Sequence, residues 1–219
     1  MPKLDLATSS GFSDHDALVV KSIWARSNFP QRHKDQSKKI HCDQDSSCPW
    51  SATYNYMMKK LGDQGSLFIL TGKRGTGKTQ MSACLARLFA LKLSSVKYFR
   101  VADVFTLIRA TFDGEGSEVD VLKQMTGSLA SWANPNNSDA PRLLVIDEMH
   151  DRGGSEWEAR VLNQVVDARY GARLDTILIT NDLRKELVGK IGPSIISRAD
   201  ETGGIIECLW DSFRSPERP

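Results

Sequence analysis

Residues 72–79, Gly-Lys-Arg-Gly-Thr-Gly-Lys-Thr, satisfy the pattern G-x-x-x-x-G-K-[ST] in full, with Gly72, Gly77, Lys78 and Thr79 at the fixed positions. The pattern makes chemical sense only as a phosphate cradle. Glycines let the backbone curl until successive N–H groups face phosphate oxygens, and a helix opening immediately afterwards adds its positive N-terminal end. Arg74, Gly75, Thr76 and Gln80 complete the loop and the first turn around it. Lys78 would reach the β- and γ-phosphates and the Thr79 hydroxyl would ligate Mg²⁺. The implied cofactors are ATP and Mg²⁺.

Three further positions belong to the same chemistry. Leu143-Leu-Val-Ile146 runs into Asp147-Glu148, so a carboxylate sits at the C-terminal end of a buried strand. Asp147 there serves the metal with Thr79, and Glu148 is a general base for the attacking water. At 68 residues beyond Thr79, the pair leaves room for one extra strand–helix unit between the two motifs. Asn181 follows the next apolar strand and would lie between the earlier strand ends, against the γ-phosphate or the water; Asn181 or Asp182 could equally cap a helix. Arg198, after Ile195-Ile196-Ser197, is a candidate arginine finger offered to a neighbouring subunit's γ-phosphate.

The elements that must position these groups follow from periodicity. Leu67-Phe-Ile-Leu70 is an apolar strand leading into the loop, and Met81, Cys84, Leu85 and Leu88 give the helix after it one apolar face. Helices are expected near 51–61, 102–111 and 117–125, and strands at 66–71, 96–101, 143–146, 176–180 and 205–209. Ser155 and Glu158 read as a capping box for a helix burying Trp157, Val161, Leu162, Val165 and Val166. Residues 126–141, with Asn134-Pro-Asn-Asn-Ser-Asp139, read as a loop. Strands alternating with helices imply an α/β fold with a parallel sheet.

At 219 residues the chain suits one globular domain with a small appendage. Net charge is only +2, but residues 66–100 carry seven basic side chains and no acidic one. That excess suits triphosphate and, in its remainder, nucleic acid or solvent. Residues 1–50 are read as a short, partly helical partner-binding segment, 51–215 as the ATPase domain and 216–219 as a tail. Asp14 is the expected N-cap of a helix carrying Ala17, Val20, Ile23 and Trp24 on one side, and 26–47 is loop-like. No apolar stretch suggests a signal peptide or a membrane span, so the expected setting is cytoplasmic with all four cysteines reduced. Cys42 and Cys48, with His33 and His41 nearby, could ligate zinc, although their spacing fits no standard site.

Gly72–Thr79, Leu144-Val-Ile-Asp-Glu148, Asn163-Gln-Val-Val-Asp-Ala-Arg169, Ile179-Thr-Asn181, Ser197-Arg198 and Leu209-Trp-Asp-Ser-Phe-Arg214 together resemble the bacterial DnaC/DnaI-type replicative helicase loaders. These are AAA+ P-loop ATPases, grouped with the IstB transposition helpers. The likeness covers about residues 50–215, and Phe29-Pro-Gln-Arg32 is similar to a short motif preceding the family's core. It implies a parallel sheet flanked by helices with no C-terminal helical lid, for which the 38 residues after Asn181 leave no room. It further implies Asp147 and Glu148 as the Walker B pair, Asn181 as sensor 1, Arg198 as the finger and Arg214 as a sensor-2-like arginine.

The same resemblance implies a DnaB-type helicase, single-stranded DNA and further copies of the chain as partners, and no membrane. Arg109, Phe112 and Lys123 would face DNA, unless Phe112 is a core residue, and Val20, Ile23 and Trp24 would touch the helicase. Two features depart from the family: an N-terminal segment of only about 50 residues, and Ser194 where a second arginine is common. The alternative reading is an IstB-like, ATP-dependent helper that coats duplex DNA. A small-molecule phosphotransferase would share the loop, but the Asp147-Glu148 pair, the missing lid and the finger speak against it.

Overall fold

The computed structural model describes residues 13–38, 48–62, 65–114, 116–127 and 139–214. The polar start of the chain, His41, Cys42, residues 128–138 of the expected loop and the 216–219 tail lie outside the described residues. Five strands, β1 (Leu67–Thr71), β2 (Val96–Arg100), β3 (Leu143–Asp147), β4 (Asp175–Ile179) and β5 (Gly204–Glu207), form one sheet in the order β2-β3-β4-β1-β5. Every pairing is parallel. Parallel strands need crossover connections, and the helices that supply them cover both faces of the sheet.

Continuous apolar runs are what a doubly covered sheet demands, because successive side chains point to opposite faces. Phe68, Leu70, Leu143, Val145, Ile177 and Ile179 face one core. It is closed by α3 (Pro49–Lys60), through Trp50, Tyr54 and Met57, and by α4 (Lys78–Leu91), through Met81, Cys84, Leu85 and Phe89. Leu67, Ile69, Leu144, Ile146 and Leu178 face the second core. It is closed by α5 (Val101–Phe112), α6 (Glu118–Thr126), α7 (Glu156–Gly171), α8 (Leu187–Ile191) and α9 (Pro193–Thr202).

Arg169 of the Asn163–Arg169 motif is a clamp in this second layer. Its guanidinium is fully buried and donates to Met125 O at 2.7 Å, Asp175 O at 2.6 Å and Thr176 Oγ1 at 2.9 Å. One side chain thus ties the end of α6 and helix α7 to the start of β4. Burial pushes its pKa down to about 9.

The N-terminal segment adds α1 (Asp14–Ala25) and α2 (Gln31–Gln36), both packed along α4. The N-cap of α1 is Ser13, not Asp14, in a reciprocal capping box with Asp16. Helix α2 corrects the expectation of a loop: Pro30 opens it, Phe29 is buried beneath it and His33 Nδ1 donates to Gln80 Oε1 at 2.8 Å. Those tertiary anchors order six residues whose own sequence has no apolar period. On α7, Ser155 accepts from Glu158 N, but the Glu158 carboxylate turns to Arg109 instead of closing the capping box.

Cys48 is disulfide-bonded, which corrects the expectation of four reduced cysteines; Cys84 and Cys208 are buried thiols. Among the described residues no group of three or more metal-ligating side chains occurs, no helix is long and apolar enough to cross a membrane, and no helical lid follows β5.

Candidate nucleotide-binding site

The phosphate loop joins β1 to α4 at the C-terminal edge of the sheet, with β5 on one side of β1 and β4 on the other. Ligands bind at such a switch in strand order because the loops splay there and the helix N-terminus faces the gap. A cleft of about 410 Å³ opens at this point. Gly75, Gly77, Lys78, Thr79, Gln80, Asp147, Glu148 and Asn181 line it, joined by Arg32 and His33 from α2 and by Arg214.

Two features fix the loop's shape. Gly75 has φ +88, and a Cβ there would lie 2.0 Å from Ser212 Oγ, so only glycine fits between loop and C-terminal segment. That segment backs the loop directly: Phe213 N donates to Gly75 O at 2.8 Å, and Trp210 Nε1 donates to Thr76 O at 2.8 Å. The Trp-Asp-Ser-Phe-Arg ending is therefore the outer wall of the phosphate loop, and it delivers Arg214 to the cleft.

Lys78 is buried, and burial pushes its ammonium below the usual lysine range. It donates to Gly72 O at 2.6 Å, Lys73 O at 2.8 Å and Asn181 Oδ1 at 3.1 Å. Thr79 Oγ1 donates to Asp147 Oδ2 at 2.7 Å, joining the two expected metal ligands. A hydroxyl and a carboxylate at that spacing form an all-oxygen donor set, which suits Mg²⁺. Glu148, just beyond β3, has left-handed backbone at φ 58, and its N–H donates to Asp147 Oδ1 at 2.7 Å. A non-glycine residue in that conformation costs about 1–3 kcal/mol, and such strain concentrates at functional sites.

Asn181 caps no helix. The strand end around it is fixed by Thr180 Oγ1 donating to Asp182 Oδ2 at 2.6 Å and by Lys190 donating to Asp182 Oδ1. Burial alone would raise the Asp182 pKa, but these hydrogen bonds outweigh it and hold the carboxyl below the usual range.

The cleft also contains residues that motif reading passed over. His150 Nε2 lies 3.1 Å from Asn181 Nδ2, 3.3 Å from Arg74 Nη2 and 3.2 Å from Asp151 Oδ1, within hydrogen-bond reach of all three. Its position three residues past Asp147 was the only signal in the sequence. Tyr98 donates its hydroxyl to Asp147 Oδ2 at 3.1 Å, and nothing local in β2 marks it out.

The other expected residues lie elsewhere. Arg198 is outside the cleft of its own chain, midway along α9, where it pairs with Asp167 at 2.9 Å and lies over the Tyr170 ring at 5.4 Å. Arg109 pairs with the buried Glu158 at 2.5 Å and sits 5.5 Å above Trp157. Phe112 is 63% exposed, edge-on to Trp157 at 5.9 Å, which excludes the core placement considered for it. Lys123 pairs with Asp120 at 3.0 Å on the surface of α6. On α1, Ile23 and Trp24 are half-buried against the core that contains Phe29, whereas Leu18 is 66% exposed.

A family model described as "ATPase family associated with various cellular activities (AAA)" matches residues 68–203. The chain belongs to the AAA family. Similar to this AAA ATPase is the "Replicative helicase loader DnaC" of Escherichia coli K12, 27% identical over 92% of this chain and 78% of that protein. The DnaC of Buchnera aphidicola from Acyrthosiphon pisum is 23% identical over 95% and 81%. Among solved structures, the DnaC helicase loader superposes with a TM-score of 0.63 at 18% identity, over 81% of this chain and 99% of that one. The replication initiator DnaA bound to AMPPCP and single-stranded DNA gives 0.61 at 15%, over 84% and 52%. The resemblance carried by the motifs, the parallel AAA+ sheet and the ATPase class are all borne out.

Proposed function

We propose that this AAA ATPase binds a replicative hexameric helicase and loads it onto single-stranded DNA, with ATP hydrolysed at interfaces between its subunits. The observation that carries the reading is the likeness to DnaC loaders over 92% of the chain, which extends beyond the ATPase motifs into the N-terminal segment.

Within that reading, the loop N–H groups and Lys78 bind the phosphates, and Thr79 with Asp147 holds Mg²⁺. The ion, when bound, neutralises charge developing on the transferred phosphoryl group. Glu148 orients and deprotonates the attacking water from the end of β3. Asn181, already linked to Lys78, reports on the γ-phosphate. Arg214 adds a cation from the C-terminal wall. Because Arg198 is remote from its own cleft, its contribution is to a neighbour's, and the active species is the oligomer.

The proposed DNA contact is the exposed Phe112 beside Arg109 and the half-buried Trp157, with Lys123 on the surface of α6. Bases stack on such faces and phosphates pair with the cations. The proposed helicase contact is α1, through Val20, Ile23 and Trp24, all half-buried, with Leu18 exposed beside them.

Native mass spectrometry with the host's replicative helicase, with and without ATP·Mg²⁺ and a single-stranded oligonucleotide, tests this directly. A defined complex whose composition changes with nucleotide supports loading. Absence of any complex, with ATP-dependent multimers on duplex DNA instead, overturns it in favour of a transposition helper.

A further inference from the structure

Asp147 Oδ2 accepts two hydroxyls. One is the expected Thr79, from the phosphate loop; the other is Tyr98, reaching across from β2 at 3.1 Å. β2 lies at the edge of the sheet beside β3, and Tyr98 pairs in register with Val145, two residues before Asp147. The Tyr98 ring is buried on the α4 side of the sheet.

The segment 24–29 seats this donor. Tyr98 N donates to Ser27 O at 2.8 Å, so the free edge of β2 is closed by the turn after α1 rather than by another strand. Lys97 Nζ donates to Arg26 O at 2.8 Å beside it, and Ser27 Oγ donates to Trp24 O at 2.7 Å. The Tyr98 ring lies 4.8 Å from that of Phe29, which stacks at 5.7 Å on Trp24. A continuous line of packed rings therefore runs from α1 to the hydroxyl on Asp147.

We infer that Tyr98 is a positioning residue for the metal-ligating Asp147, and that the Trp24–Phe29 segment sets its placement and through it the affinity for the divalent cation. The inference rests on the reading above that Thr79 and Asp147 hold Mg²⁺. Residues that hydrogen-bond a metal ligand from outside orient it, and their loss weakens metal binding by about 10- to 100-fold.

The test titrates Mg²⁺ into full-length protein with a fluorescent ATP analogue, and Mn²⁺ followed by electron paramagnetic resonance, beside nucleotide affinity in EDTA. Tyr98→Phe removes only the hydroxyl. It is expected to raise half-saturating Mg²⁺ by about 10-fold, with nucleotide affinity in EDTA unchanged. Phe29→Leu, which keeps the hydroxyl but removes its seat, is expected to give a smaller rise in the same direction and carries the same comparison should Tyr98→Phe fold poorly. Tyr54→Phe deletes a hydroxyl from the same core and should leave the Mg²⁺ curve unmoved.

If Tyr98→Phe and Phe29→Leu titrate like wild type while Asp147→Asn does not, the positioning role is wrong and the metal site stands. If wild-type protein binds nucleotide with no dependence on Mg²⁺, the site assignment fails and this inference fails with it.

Discussion

Lys78 Nζ donates to Asn181 Oδ1 across 3.1 Å, joining the phosphate loop to the end of β4. The link makes the lysine's position depend on Asn181 and not on the loop alone. Asn181→Ala should therefore lower turnover by about 10²-fold, the loss typical of one preorganised polar group at a reacting centre. Nucleotide affinity should change only a few-fold. Steady-state ATPase assays beside equilibrium binding separate the two effects, and equal losses in both would refute a sensing role.

The His150 ring lies within hydrogen-bond reach of the Asn181 amide and the Arg74 guanidinium and helps to orient them. His150→Leu leaves both donors without that partner and is expected to lower ATP turnover about 10-fold, the lower end of what losing an orienting partner costs. His150→Asn, which still presents an acceptor, should recover part of the rate. Identical rates for the two variants would show that the ring matters only as bulk.

Arg198 offers a clean distinction between structure and function. Its pair with Asp167 is half-exposed, and such pairs contribute about 0–1 kcal/mol, so Arg198→Ala should melt within a few degrees of wild type. Turnover should nevertheless fall by about 10³-fold, as for a lost arginine finger. Mixing Arg198→Ala with Lys78→Ala subunits should restore measurable ATPase activity, because one chain supplies an intact cleft and the other an intact arginine. No recovery on mixing would argue against sites shared between subunits.

Arg169→Leu should cost stability and not chemistry. The change strips the donors from Met125 O, Asp175 O and Thr176 Oγ1 inside the core. Each buried acceptor left without its donor costs about 1–3 kcal/mol. Denaturant unfolding measures this, and a shift below about 1 kcal/mol, the scale of an exposed pair, would contradict the clamp.

Burial pushes the Cys84 thiol up to about 11 and Cys208 up to about 12. Both should resist a thiol reagent at pH 8 in native protein and react on unfolding. A folded thiol that holds its proton longer than the unfolded one gives stability that is complete below the ordinary thiol range. That stability declines above about pH 9 as the unfolded thiols ionise. Unfolding free energies measured from pH 8 to 10.5 should fall accordingly in wild type, and less in a Cys84→Ala, Cys208→Ala protein.

What the sequence determined by itself was everything that depends on short spacing. The phosphate loop, the Asp147-Glu148 strand end, Asn181 and the alternating strands and helices are each written within a dozen residues, where backbone geometry alone relates one side chain to the next. The family motifs were legible for the same reason, although the roles of two of them were not. Arg169 proved to be a core clamp, and the Trp-Asp-Ser-Phe-Arg ending proved to be the wall of the phosphate loop. The tertiary structure alone decided which distant residues meet. His150 reaches Asn181, Tyr98 reaches Asp147 and His33 reaches Gln80 over separations of 31 to 49 residues, fixed by sheet order and by packing on α4. It also turned Glu158 away from its helix cap towards Arg109, left Phe112 in solvent and placed Arg198 away from its own cleft. A local pattern can be read one element at a time; a contact between elements exists only after the sheet has brought their ends together.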